Sequence, residues 1–258
     1  MHADHEGKVA VTAKLNLFGQ ELTVDMRLPA RPTRPGELLP LYRGLCAQVL
    51  QVALMAVEQQ ARTVSCTKGC GACCRQLVPV AELEARRLRE VIDELPPARG
   101  AAVRARFAAA RRRLAEAGLL AELEAPLPAT KEAAVELGLR YFALQIACPF
   151  LEDEACSIYE ERPMVCREYL VTSPAECCSR PTRETVATVP VPASVHRAMG
   201  WPTAVGEERP SSVPLIVAPH WAETHPEPAP SHTGVELARE LFQRLMGSPP
   251  GTGQPAPE

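Results

Sequence analysis

The chain is 258 residues long and 46% hydrophobic, enough to bury a sizeable core. Its 28 Lys and Arg against 31 Asp and Glu give a net charge of -3, which excludes the strongly basic surface that nucleic acid or an anionic membrane would demand. Aromatic residues make up only 4% while Ala, Leu and Val abound, a composition that favours packed helices and predicts a mainly α fold.

Residues 1–63 read as a first unit, a short β-hairpin followed by a long helix. Val9, Val11, Leu15 and Leu17 alternate, as do Leu22, Val24 and Met26, so two strands are predicted to join at Phe18-Gly19-Gln20. After a turn-rich stretch ending at Pro35, Leu38, Leu41, Tyr42, Leu45, Val49, Val52, Ala53 and Val57 recur at helical spacing. That helix should run to about Ala61 and deliver the chain to Cys66. No stretch reaches the ~18 to 20 continuous apolar residues that span a bilayer, and the opening Met-His-Ala-Asp-His-Glu lacks the layout of a signal peptide. A cytosolic location is expected, with neither membrane nor nucleic acid as partner and no protein partner evident.

Residues 64–180 form the second unit and hold nine of the ten cysteines. Leu88, Val91, Ile92 and Leu95 make one apolar stripe and Val103, Phe107 and Leu114 another, divided by Pro96-Pro97, which predicts two helices packed as an antiparallel pair. The one basic run, Arg111-Arg112-Arg113, reads as the solvated face of the second. A further helix is predicted over residues 131–145, ending just before Cys148. Residues 181–247 are a Pro-rich extension in which Thr233-Gly-Val-Glu236 has capping-box spacing, so a last helix should carry Leu241, Phe242 and Leu245 and stop at Gly247. The tail, residues 248–258, has too little apolar surface to offset chain entropy and is expected to be disordered.

The chemistry lies in the cysteines. In a reducing compartment, clustered thiols read as metal ligands rather than disulfides. Cys66, Cys70, Cys73 and Cys74 fall within nine residues, with Gly69 and Gly71 where the chain must fold back to aim several thiolates at one point. Coordination requires the thiolate, and a bound cation holds it deprotonated at neutral pH. Cys148, Cys156 and Cys166 form a second set more than seventy residues away, a loop whose closure entropy grows only slowly with length. Each set is delivered by the end of a helix, and vicinal side chains such as Cys73 and Cys74 diverge, so the sets are expected to converge in space. These seven cysteines are the candidate metal ligands.

The remaining residues of interest carry weaker signals. Cys46 lies on the apolar stripe of the long helix and reads as a small buried hydrophobe. Cys177-Cys178 stay open between auxiliary ligands, a redox pair and surface thiols. Glu152, Asp153 and Glu154 could complete a metal shell or form a solvated turn. Arg162 and Arg167 suit either orientation of thiolates or ordinary ion pairs, and Pro163 suits the first turn of a short helix presenting Cys166. The six histidines lack metal-binding spacing and read as non-ligands.

In combination, Cys70-Gly-Ala-Cys73-Cys74, Cys148-Pro-Phe-Leu151 and Cys156-Ser-Ile-Tyr159 through Arg162-Pro163 to Cys166-Arg167 resemble the bacterial cysteine-cluster family with the CxxCxxCC motif, a zinc- or iron-chelating domain. The resemblance covers about residues 64–170. It departs at the start, where three residues rather than two separate Cys66 from Cys70. The resemblance implies zinc or iron as cofactor, an iron–sulfur cluster included. All-sulfur ligation suits either, and one zinc or one four-iron cluster would use four thiolates, so metal and stoichiometry both stay open.

A metal-dependent enzyme is the alternative. A flagellin lysine methylase is related to the family, which makes protein methylation an analogy, and Cys66-x3-Cys70-x2-Cys73 has the spacing of radical S-adenosylmethionine enzymes. Those enzymes are built from repeated βα units, whereas the downstream residues here read as helices. No Gly-rich strand-to-helix turn offers to hold a nucleotide cofactor. The expected architecture is an irregular, mainly α domain organised around a cysteine metal site, with a short N-terminal β-hairpin.

Overall fold

A computed structural model describes residues 7–128, 130–182, 184–199 and 212–247. The tail expected to be disordered, His2 and His5 lie outside these residues. About half of the chain is helical, in nine α-helices among the described residues, so the fold is mainly α with an N-terminal hairpin.

Strands β1 (Lys8–Leu17) and β2 (Gln20–Pro29) pair antiparallel, with Leu17 opposite Gln20 and Lys8 opposite Pro29. Phe18 and Gly19 both take positive φ, 52° and 79°, the backbone that lets a two-residue turn match the twist of its strands. Leu15, Leu17, Val24, Met26 and Leu28 point to one face and are buried.

Helix α1 (Leu39–Gln59) packs Leu45, Cys46 and Val49 against that face. Here one expectation needs correction. Although broken by polar residues, Pro35–Gln59 is long and apolar enough by length and composition to cross a membrane. In this fold the apolar surface is spent on packing: Tyr42 and Leu45 join the hairpin core, Ala53 and Val57 cover Val189, and Arg43 is paired with Glu161 at 2.7 Å.

Past the first cysteine loop come β3 (Pro79–Ala81), α2 (Glu82–Glu94) and α3 (Pro97–Glu116), the helices divided at Pro96-Pro97 as expected. A short α4 (Leu120–Glu124) and α5 (Lys131–Ala143) follow, the latter capped by Thr130, whose hydroxyl accepts the Ala133 amide at 3.3 Å. The second loop contains the small hairpin β4 (Leu151–Glu152) and β5 (Ala155–Cys156), then α6 (Met164–Glu168). Phe150 meets Phe107 of α3 edge-on, with centroids 5.3 Å apart, which docks this loop on the helices.

The chain closes with α7 (Val195–Met199), β6 (Ser212–Pro214), α8 (Ala218–Thr224) and α9 (Gly234–Gly247). β6 pairs antiparallel with β3. The capping box of α9 forms: the Glu236 amide donates to Thr233 Oγ1 at 3.2 Å and the Thr233 amide to Glu236 at 2.8 Å.

Two cores result. The first joins the hairpin, α1, α7 and α9, so it draws on both ends of the chain. The second joins α2, α3, α5 and the segment from Val213 to Ala218. Cys148 and Cys156 pack on the second core, and Met164, two residues before Cys166, is buried in the first. The cysteine loops therefore lie where both cores can hold them.

Candidate metal centre

The first cysteine loop is a run of tight turns. The Cys70 amide donates to the Thr67 carbonyl at 3.1 Å, Cys74 to Gly71 at 2.9 Å and Gln76 to Cys73 at 3.1 Å. Gly69 has φ 99°, a conformation glycine takes at no steric cost. Gly71 is required for a different reason: a Cβ there would stand 2.4 Å from the Glu154 carbonyl oxygen and 2.6 Å from Leu151 Cδ1. The first loop is thus seated on the tip of the β4–β5 hairpin.

Main chain completes the junction. The Cys148 amide donates to the Cys74 carbonyl at 2.7 Å, and Leu151 closes a turn back to Cys148 at 2.8 Å. Arg75 holds Glu154 from the side with bonds of 3.0 and 2.6 Å, while Arg106 and Arg99 hold Glu152 at 2.6 and 3.3 Å. Both carboxylates are committed to arginines, so the acidic turn reads as ion-paired surface.

Cys166 is presented by α6, whose first amide, Met164, donates to buried Glu84 at 2.7 Å. The same carboxylate accepts the Ala81 amide at 3.2 Å. Glu84 satisfies two amides that burial would otherwise leave without water, and burial pushes its own pKa up to about 7.

Together these loops enclose a cavity of about 110 Å³ lined by Cys70, Cys73, Cys74, Cys148, Cys156 and Cys166, with Tyr159, Arg162 and Tyr169 beside them. Six of the seven candidate ligands therefore share one wall, the convergence expected of the two sets. Cys66 is not part of that wall. Its sulfur accepts the Val171 amide at 3.4 Å, and it packs with Val171, Cys73 and Cys178.

Electrostatics follow from crowding thiols in a poorly hydrated place. Burial pushes the Cys148 thiol up to about 12, and Cys156 and Cys166 upward also, with the neighbouring sulfur charges adding to the rise at each. Cys73 and Cys74 behave as a pair: the Cys74 thiol donates to Cys73, which lowers Cys73 to about 7 and drives Cys74 up. Taking protons from the remaining thiols at neutral pH requires a positive charge inside the cavity, which is what a bound cation provides.

The residues fit a soft metal by donor chemistry. Every candidate donor is sulfur, and the Arg162 guanidinium, stacked 4.1 Å over the Tyr159 ring, keeps a buried Nε with no hydrogen-bond partner. Its charge lowers the pKa of Cys73 and Cys156. The sulfurs face a common space without being drawn into a coordination polyhedron: among the described residues, no three Cys, His, Asp or Glu side chains stand at metal-binding spacing. Arg167 instead braces the loop, donating to the carbonyls of Arg162 at 3.0 Å and of Glu160. None of His196, His220, His225 and His232 lines the cavity.

Cys46 is buried, as its stripe implies, and its thiol contacts Glu168 at 3.9 Å. Of the alternatives left open for Cys178, its burial against Cys66 removes that of a surface thiol, while Tyr159, which carries the Arg162 stack beside the thiols, was not legible as a site residue.

Two separated cysteine loops of a helical protein close here on one sulfur-lined cavity, an arrangement in keeping with a metal-binding domain. Residues 65–190 match the family CxxCxxCC, described as "Putative zinc- or iron-chelating domain". No curated protein and no solved structure matches the chain.

Proposed function

We propose that this is a cytosolic metal-binding protein that chelates zinc or an iron–sulfur cluster through Cys70, Cys73, Cys74, Cys148, Cys156 and Cys166, with Cys66 at the margin. The observation that carries the reading is the common cavity, which gathers thiols from loops more than seventy residues apart. When bound, the metal supplies the positive charge that buried thiolates need. The chain supplies the frame: Glu84 orients the α6 turn, the Cys148–Cys74 main-chain bond sets the distance between loops, and Arg162 offsets negative charge. The test is anaerobic purification followed by elemental analysis and an absorption spectrum. Stoichiometric zinc or iron supports the reading, and a fully folded protein with neither metal and no gain in stability on adding them overturns it.

A metal-dependent enzyme is the second reading, and one feature favours it. A larger cavity of about 230 Å³, lined by Leu127, Val135 and Phe142, shares Gln76, Leu77, Pro79 and Tyr169 with the thiol cavity. An organic molecule there would lie beside the metal. A brown chromophore bleached by reductant favours this reading, whereas colourless, inert zinc favours a structural or storage role.

A further inference from the structure

Helix α5 has two apolar faces, and the protein covers one of them. Leu137 and Tyr141 are buried in the second core, whereas Ala134, Val135, Gly138 and Phe142, recurring at three- and four-residue spacing, line the cavity of about 230 Å³. That cavity offers more than ten times the ~15 Å³ that one water requires.

Gly138 stands in the middle of α5, where glycine is disfavoured relative to alanine. Packing does not require it: a Cβ there would meet nothing within 4 Å. Gly44 of α1 has the same open space but is exposed, whereas Gly138 is half-buried and lines the cavity. Bare helix backbone in a cavity wall lets a ligand approach more closely than any side chain would. With Ala134 one turn away it makes a flat strip of wall, and the rings of Pro79, Pro128 and Pro181 stiffen the rest.

Lys131, two turns before Gly138, supplies the only charge in the lining and has no ion-pair or hydrogen-bond partner among the described residues. One ammonium balances a singly charged anion, whereas a phosphate dianion would call for a second cation. We infer that the cavity binds a small carboxylate with a flat apolar body, the ring against Ala134 and Gly138 and the carboxylate accepting hydrogen bonds from Lys131. Seven residues of helix rise about 10 Å, and the lysine side chain shortens that gap to the length of a two-ring body. The inference names the ligand class for the enzymatic reading and rests on it for the ligand's use. The cavity shares Gln76, Leu77, Pro79 and Tyr169 with the thiol cavity, so the bound ring lies beside the metal site.

The full-length protein as purified is titrated calorimetrically with 2-naphthoate, with octanoate and the uncharged 2-naphthamide as comparators. The wild type should bind one 2-naphthoate, and bind it more tightly than either comparator. Gly138→Ala should raise the urea midpoint of unfolding yet weaken 2-naphthoate at least about 10-fold, because the added methyl group takes the ring's place. Gly44→Ala should raise the midpoint and leave binding unchanged. Lys131→Gln should weaken 2-naphthoate about 5-fold, the worth of an exposed ion pair, and leave 2-naphthamide unchanged. No heat from 2-naphthoate, octanoate held as tightly, or wild-type affinity in Gly138→Ala would overturn the site. Ligand bound by a protein that carries no redox-active metal would instead bring down the enzymatic reading and leave the site standing.

Discussion

The Cys148 amide donates to the Cys74 carbonyl at 2.7 Å, so the two cysteine loops are joined through main chain, next to the sulfurs but without using them. This leaves both side chains free to turn toward the cavity while their backbones stay fixed. A frame of this kind lowers the ordering cost of binding, because the long intervening loop is already closed when the metal arrives.

Replacing a ligand in such a frame should cost affinity more than fold. Cys73→Ser, Cys74→Ser, Cys148→Ser or Cys166→Ser is expected to weaken metal binding at least about 10- to 100-fold, the scale known for loss of a mere supporting contact to a ligand. Cys46→Ser should leave metal content unchanged, since that thiol lies in the hairpin core beside Glu168. Elemental analysis of the purified variants decides it. Equal losses from all five would show that the cavity is not the site.

Gly71 tests the seat rather than the ligands. A methyl group at this position would meet the Glu154 carbonyl at 2.4 Å and Leu151 Cδ1 at 2.6 Å, and the carbonyl is main chain in a tight hairpin turn. Gly71→Ala should therefore destabilise the protein by about 1–3 kcal/mol and part the two loops. Urea midpoints of wild type and variant, measured with matched metal content, would reveal it. An unchanged midpoint would mean that the loops do not pack as described.

Much of the fold was legible because it is periodic. The β1–β2 hairpin, α1, α2, α3, α5 and α9 are long enough for alternation or helical spacing to rise above chance, and Thr233-x2-Glu236 marked where α9 begins. α4, α7 and α8 have five to seven residues, fewer than two turns, and carry no readable stripe. The β3–β6 pair escapes for another reason. Three residues from each strand, with Val80 opposite Val213, are matched by tertiary packing that nothing local encodes. At the site, spacing grouped the cysteines but could not say that Cys66 turns away to Val171 and Cys178, because that choice depends on where residues 171–178 return.

His196 gives the fold a pH dependence of known sign. Burial, with Arg197 adding, lowers its pKa from 6.5 to about 4, and its Nδ1 is sealed without a partner. Between those values the unfolded chain binds the proton and the folded one does not, so stability is fully present above about pH 6.5 and is lost as pH falls toward 4. In His196→Leu this loss should vanish. Denaturation of both proteins at pH 7 and pH 5 should show the wild type giving up more stability than the variant, and equal losses would refute a buried neutral imidazole.

Removing the metal should loosen one part of the molecule and spare another. The candidate ligands sit in loops tied together by few main-chain bonds, the shortest being Cys148 to Cys74 at 2.7 Å, and once no cation lies between them their buried thiols take up protons and no longer draw the loops to a common point. The hairpin core needs no metal: Leu15, Leu17, Val24 and Met26 pack on Leu45, Val49, Leu241 and Phe242. A ligand present at 100 times its dissociation constant stabilises whatever it holds by about 2.7 kcal/mol, roughly a 100-fold slowing of hydrogen exchange. Chelation should therefore speed exchange at the Cys74 and Cys148 amides by about that factor, while the paired amides of β1 and β2 change little. Met164 ties α6 to the hairpin core, so a modest rise at the amides of α6 should mark the boundary between the two responses. Exchange that quickens equally in the hairpin and the cysteine loops would show that metal holds the whole fold, and no change at Cys148 would show that it holds neither loop.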